Sequence, residues 1–145
     1  MCEIFYDSLV KTYCPYFGQE IAFNSKGFEH LLFRNRGHPR NHKDQYARFK
    51  LLPLVPKILN LSKTLQGECR VMHFGKVRMN NRVETVLKPV SYYEFIAVME
   101  EVRTKIVIKQ IDNGEKFFWS VIPYWKFNLN LDNKRKLHDG DLENE

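Results

Sequence analysis

The chain has 145 residues, 43% of them hydrophobic and 28% charged, which is one domain's worth of sequence and enough to bury a core without disulfides or a structural metal. Phe, Tyr and Trp number 20 and Gly with Pro only 13, which excludes disordered, collagen-like and low-complexity readings for most of the chain. Lys plus Arg is 23 against 17 Asp plus Glu, a formal charge of +6, so a polyanionic partner, nucleic acid above all, is favoured over a charged surface that only keeps the protein soluble.

The N-terminal residues Met1-Cys2-Glu3-Ile4-Phe5-Tyr6-Asp7 carry no basic segment followed by an apolar one, so a secretory signal is not expected there. No apolar run approaches the ~18–20 residues of a membrane span. The three cysteines cannot all pair internally and form no Cys-x-x-Cys, which points to a reduced, cytoplasmic setting without zinc.

In chain order, Ile4, Phe5, Leu9 and Val10 predict a helix over Met1–Tyr13, ended by Cys14-Pro15. Gln19–Phe23 reads as extended. Ser25 is a suitable N-cap for a helix with Phe28, Leu31 and Leu32 on one face, stopped by Gly37-His38-Pro39. Asp44–Leu51 is a second amphipathic segment, and Pro56 can sit in the first turn of a short helix, Lys57–Leu61. The rest reads as strands. Arg70–Phe74 and Glu84–Leu87 are short β-prone runs. Ser91–Met99 opens like a capping box, but its aromatic and β-branched content favours a strand. Lys105–Ile111 alternates, Asp112-Asn113-Gly114-Glu115 is a hairpin turn, and Phe117–Ile122 is the partner strand. The expectation is an α+β domain, with N-terminal helices packed on a C-terminal antiparallel sheet of three to five strands. Residues 1–127 form the domain in this reading, and 128–145 form a charged tail.

The last 14 residues hold five acids and three bases, leaving 20 bases against 12 acids on the body. Lys26–Lys50 alone contains seven bases and two acids, with His30, His38 and His42 among them. This is the footprint of a nucleic-acid binder. Nucleotide-binding glycine loops, nucleophile elbows and zinc-protease motifs are absent. Carboxylates are scattered, which disfavours a metal-dependent nuclease. Metal-free cleavage of RNA needs a base for the 2′-hydroxyl, an acid for the 5′-oxygen, and donors for the phosphorane charge. Imidazole serves the first two near neutral pH, and Arg, Lys and hydroxyls serve the third.

His30 and Arg34 stand four apart on a helix face that is partly polar. His38 and His42 flank Pro39 in a loop and lack a third metal ligand. Arg36, Arg40, Lys43, Arg48 and Lys50 continue the basic run, and Arg48, amid Tyr46, Ala47 and Phe49, is the favoured phosphate clamp. Lys109 and Ser120 offer a cation and a small hydroxyl from the sheet. Tyr92, Trp119, Tyr124 and Trp125 are candidates for base stacking, with core burial the competing role.

Four blocks in sequence order resemble a known family. They are Ile21-Ala22-Phe23-Asn24-Ser25-Lys26-Gly27-Phe28-Glu29-His30-Leu31-Leu32; Arg48-Phe49-x-x-Leu52-Pro53-x-x-Pro56-x-Ile58-Leu59; Tyr92-Tyr93-Glu94-Phe95-Ile96-Ala97; and Ile106–Ile111 with Asn113-Gly114 and Phe117–Pro123. Over about residues 19 to 125 the chain resembles the phage-type branch of the barnase–EndoU–colicin–RelE nuclease superfamily, which includes toxin-like domains of mobile elements. The resemblance implies helices on an antiparallel sheet and metal-independent endoribonuclease activity without a cofactor. It assigns catalytic roles to His30, Arg48, Lys109 and Ser120, with His42 as a second candidate base or acid. The RNA-binding set is then Arg34, Arg36, Arg40, Lys43, Lys50, Tyr92, Trp119 and Tyr124. Expected partners are RNA and a cognate antitoxin or immunity protein, with no membrane. A non-catalytic RNA-binding module and a protein-interaction domain using the same basic face are the alternatives.

Overall fold

The computed structural model describes residues 2–34 and 37–123. Among these residues four helices, α1 (Cys2–Ser8), α2 (Ser25–Leu32), α3 (His42–Leu51) and α4 (Leu54–Leu61), accompany six strands. The strands are β1 (Lys11–Cys14), β2 (Gln19–Ala22), β3 (Gly67–Met79), β4 (Arg82–Met99), β5 (Val102–Ile111) and β6 (Phe117–Pro123). They form one sheet in the order β1-β2-β6-β5-β4-β3. The protein is α+β. Among the described residues no helix is long and apolar enough to cross a membrane.

The sheet corrects the expected count of three to five strands, and it is neither purely antiparallel nor purely C-terminal. Lys11–Cys14 was expected to end the first helix. Instead the helix stops at Ser8, and Lys11↔Ala22 through Cys14↔Gln19 pair as a small hairpin. Helical spacing lost there to a tertiary partner: Cys14 and Ile21 are wholly buried only when the segment is extended. The hairpin joins the main sheet through a single parallel pair, Ala22↔Phe117.

Local chemistry sets the other elements. Asn24, not Ser25, caps α2, its side-chain oxygen accepting from the Gly27 amide at 3.2 Å. Asn41 caps α3 in the same way, accepting from the Asp44 amide at 2.8 Å. Pro56 lies in the first turn of α4, which begins at Leu54, before the expected start at Lys57. The Ser91–Met99 stretch is strand, paired with β5 throughout and with β3 as far as Glu94. The two short runs expected before it belong to one long β3–β4 hairpin, turned at Asn80-Asn81 with φ of 47° and 63°.

The helices cover one face of the sheet. Leu31, Leu51, Leu52, Val55, Ile58 and Leu59 meet Phe95, Ile106, Ile108, Phe118 and Val121 in the main core. The strict alternation of β5 sends Lys105, Val107 and Lys109 to the other face, where Val107, Val90 and Tyr92 form a second, smaller cluster against Trp119.

Candidate functional site

The site forms where α2 and α3 meet the first half of β6. Gly27 permits the approach. A Cβ there would stand 2.2 Å from the Phe118 carbonyl oxygen and 2.8 Å from the Tyr6 hydroxyl, so only glycine lets α2 come this close. His30 follows one turn later. On the strand, a bulge opposite Val107 and Ile108 inserts Trp119 between the paired residues Phe118 and Ser120. Bulges re-aim side chains. Here the Trp119 ring lies 4.0 Å from the His30 ring with only 19° between planes, a stacked pair.

The next link comes from the segment after α2. The helix ends at Leu32, and the chain doubles back with the Arg40 amide donating to the Leu32 carbonyl at 2.9 Å. Arg40 is thereby carried inward. Its Nε donates to the His30 carbonyl at 2.9 Å, its Nη2 to His30 Nε2 at 3.1 Å, and its Nη1 to Asp44 Oδ2 at 3.2 Å. Asp44 turns its other oxygen to Arg48, whose Nε donates to Oδ1 at 2.9 Å. Arg48 Nη1 then donates to Ser120 Oγ at 2.6 Å. Asp44 and Arg48 stand four apart on one side of α3, and Arg40, just before the N-cap Asn41, reaches Asp44 from outside the helix. Lys109, from β5, places Nζ 3.7 Å from the Trp119 ring centroid and 5.4 Å from that of Tyr92. His30, Arg40, Arg48 and Ser120 are all at most 6% exposed.

The electrostatics follow from this burial. Desolvation, then the neighbouring Arg48 charge, pulls Arg40 down to about 10, which leaves it cationic at neutral pH. Burial works to raise the Asp44 pKa, but hydrogen bonds and charge from Arg48 and Arg40 outweigh it and hold the carboxyl below its ordinary value. One carboxylate therefore braces two guanidinium groups. A guanidinium can only donate, so His30 Nε2 is the acceptor in its bond with Arg40, and a neutral His30 carries its proton on Nδ1.

The structure brings together His30, Arg40, Arg48, Ser120, Lys109, Trp119 and Tyr92. It separates the rest. His42 sits exposed in the first turn of α3, and Lys43 and Lys50 are exposed on the same helix. Arg34 falls two residues past the end of α2 and is exposed, so it does not share a helix face with His30. Arg36 and Tyr124 lie outside the described residues, as does the tail 128–145. Three expectations about exposure are corrected. His30 is buried, because the doubled-back segment lays Arg40 over it. Tyr92 is wholly buried, which removes it as a surface platform for bases. Arg40 is likewise not an exposed clamp: it is buried, and its resting partners are His30 and Asp44.

Asp44 and Gly27 were not anticipated. The Arg40-x-x-x-Asp44-x-x-x-Arg48 spacing was the available signal for the first. Among the described residues, no three His, Cys, Asp or Glu side chains gather as a metal site requires. Comparison with protein-family models, with curated proteins and with solved structures finds no match.

Proposed function

We propose that this protein is a metal-independent endoribonuclease of the barnase–EndoU–colicin–RelE kind, toxin-like, cleaving RNA by 2′-hydroxyl transesterification. The observation that carries the reading is the chain His30–Arg40–Asp44–Arg48–Ser120, in which an imidazole, two fixed guanidinium groups and a hydroxyl converge beside a lysine. Those are the groups that phosphodiester cleavage needs without a metal.

In this mechanism a scissile phosphate competes for Arg40 and Arg48, which bind anionic oxygens more strongly than neutral acceptors. When Arg40 turns to phosphate, His30 Nε2 is released and can accept a proton. Binding of substrate thus arms the base. The 2′-oxygen forms its bond to phosphorus, its proton passes to Nε2, and the bond from phosphorus to the 5′-oxygen breaks. In-line attack puts the entering and leaving oxygens on opposite sides of phosphorus, so a second group must protonate the 5′-oxygen. Lys109, standing at the same indole as His30, takes that role. Arg48 steadies the phosphorane, and Ser120 orients a phosphate oxygen. The products are a 2′,3′-cyclic phosphate and a 5′-hydroxyl. An RNA substrate and an acidic neutralising protein are the partners this reading implies.

The low exposure of the four network residues favours a second reading, a non-catalytic RNA-binding module whose His30 is purely structural. One experiment separates the two. The purified protein is incubated with total cellular RNA in EDTA, and fragment ends are mapped. Fragments ending in 2′,3′-cyclic phosphate support the nuclease. Intact RNA after prolonged incubation, with the protein bound to it, supports the module.

A further inference from the structure

The β3–β4 hairpin reaches well past the rest of the sheet. β5 pairs with β4 only from Val90 onward, yet β3 and β4 remain paired from Met72↔Pro89 to Met79↔Arg82. That leaves a two-stranded arm of eight residue pairs, roughly 26 Å long at ~3.3 Å per residue, with both edges unpaired by any other strand among the described residues. Isolated two-stranded ribbons are marginal in water. This one also exposes apolar side chains on one face: Met72 at 53%, Phe74 at 78%, Val83 at 67% and Leu87 at 47%. An exposed apolar strip of this kind marks a binding surface.

Its chemistry points to one class of partner. Between Arg70 and Lys88 there are five Lys or Arg residues and a single acid, Glu84. Lys76 and Arg78 follow Phe74 at two-residue intervals, so they share its face, and both are exposed. Lys88 and Arg82 lie on the opposite face. There they continue the side of β4 that carries Tyr92, whose partner in the register is Lys109 of the candidate site. Cations beside an exposed aromatic ring suit a polyphosphate backbone with bases free to stack.

We propose that this arm is a second RNA-binding element, holding the strand that flanks the cut and presenting Phe74 to an unpaired base. The inference rests on RNA being the substrate. It makes the preferred substrate a long RNA with a single-stranded flank, since a dinucleotide cannot reach from Lys109 to the arm tip.

The test uses the full chain and a fluorescein-labelled oligoadenylate of about 20 nucleotides, with binding followed by anisotropy across a salt series. Changing Lys76, Arg78 and Arg82 together to Ser is expected to reduce the slope of log K against log salt by about 2, at ~0.7 per lost phosphate contact on a single strand. Phe74→Ala is expected to weaken binding by roughly 5- to 150-fold, the span for losing one base–aromatic stack. Cleavage of a dinucleotide should be unchanged in both variants while cleavage of the long RNA falls. An unchanged slope together with binding within twofold for Phe74→Ala would overturn the proposal. So would binding to phosphatidylserine vesicles that these variants abolish while RNA binding persists. Because anisotropy needs no cleavage, the two readings fail separately. Arm-dependent binding without cleavage removes the nuclease and keeps the arm, and cleavage of long RNA indifferent to the arm does the reverse.

Discussion

His30 is at once the proposed proton carrier and a buried packing residue, so its replacement has two effects that must be separated. His30→Ala removes the ring stacked on Trp119 and strands a buried Arg40 donor, so it should lower stability as well as rate. His30→Gln keeps an acceptor for Arg40 while removing the imidazole and its stack on Trp119. Cleavage in EDTA by the Gln variant should fall by ~10²–10⁴-fold, with a smaller loss in thermal midpoint than His30→Ala shows. A folded Gln variant with full activity would move the acid–base role to another residue. Ser120→Ala should cost less rate, because it removes a neutral donor. Asp44 sets the charge balance of the whole cluster. Asp44→Asn leaves two buried guanidiniums without a counter-charge, a change worth ~3–5 kcal/mol for a fully buried pair. The Asp44 side chain is 23% exposed, so about 2–3 kcal/mol is the expected loss in denaturant unfolding at pH 7. The sign with pH follows from its depressed folded-state pKa. The stabilisation is complete above the ordinary value of 3.8 and is lost as pH falls through the lower folded value. The stability gap between parent and Asp44→Asn should therefore be constant from neutral pH to about 5 and close below 3.8.

Among the elements, α2 is placed by the absence of a side chain. Gly27→Ala brings opposing effects. Helix propensity gains about 1 kcal/mol. Against it stands a Cβ at 2.2 Å from a strand carbonyl, an atom the sheet does not let move. Overpacking of this kind costs ~1–3 kcal/mol, so the clash wins, and α2 must shift to relieve it. The expected result is a lower thermal midpoint together with slower cleavage, since His30 moves with the helix. The β4–β5 turn has the reverse character. Glu100 and Glu101 both hold positive φ, 52° and 64°, in a two-residue hairpin turn that suits Asn-Gly. Each non-glycine residue there costs roughly 1–2 kcal/mol. Replacing Glu100 with Asn and Glu101 with Gly should raise stability by about 1–2 kcal/mol in denaturant titration, and a loss would show that the two glutamates make compensating contacts. These elements also show what the sequence could express. The β5–β6 hairpin was legible because Asn113-Gly114 and strict alternation agree. The length of β3 and β4 was not, because Asn80-Asn81 is a weaker turn signal and the arm has no buried face to impose alternation. The first helix was overextended because its last residues obey a strand partner, β2, that no local pattern announces.

For the molecule as a whole, the basic run Lys26–Lys50 divides into two populations that composition treats alike. Arg40 and Arg48 are turned inward onto Asp44, while Lys26, Arg34, Lys43 and Lys50 face outward. Which cation goes inside depends on where the chain doubles back after Leu32, a tertiary event. The convergence of His30, Arg48, Ser120 and Lys109 was suggested by block order across the chain, whereas the carboxylate that binds the cluster together emerges only from the packed helices.

The attachment of the N-terminal hairpin has a kinetic consequence. β1 and β2 touch the main sheet by the one pair Ala22↔Phe117, while β4 and β5 share ten. Beyond that pair the hairpin is held by Phe17, edge-on to Phe95 and Tyr93, and by the Tyr16 amide, which donates to the Ser62 carbonyl at 3.0 Å. Its amides should thus exchange with solvent deuterium through a partial opening well below the global unfolding free energy, while those of β4 and β5 wait for complete unfolding. Because α2 follows β2 after only two residues, each such opening also slackens the tether of the helix that carries His30. Hydrogen exchange that is uniform across β1, β2, β4 and β5 would show instead a single cooperative unit. Exchange that is fast in β1 and β2 alone would show that the hairpin opens as a unit separate from the sheet core, loosening the tether of α2 with each opening.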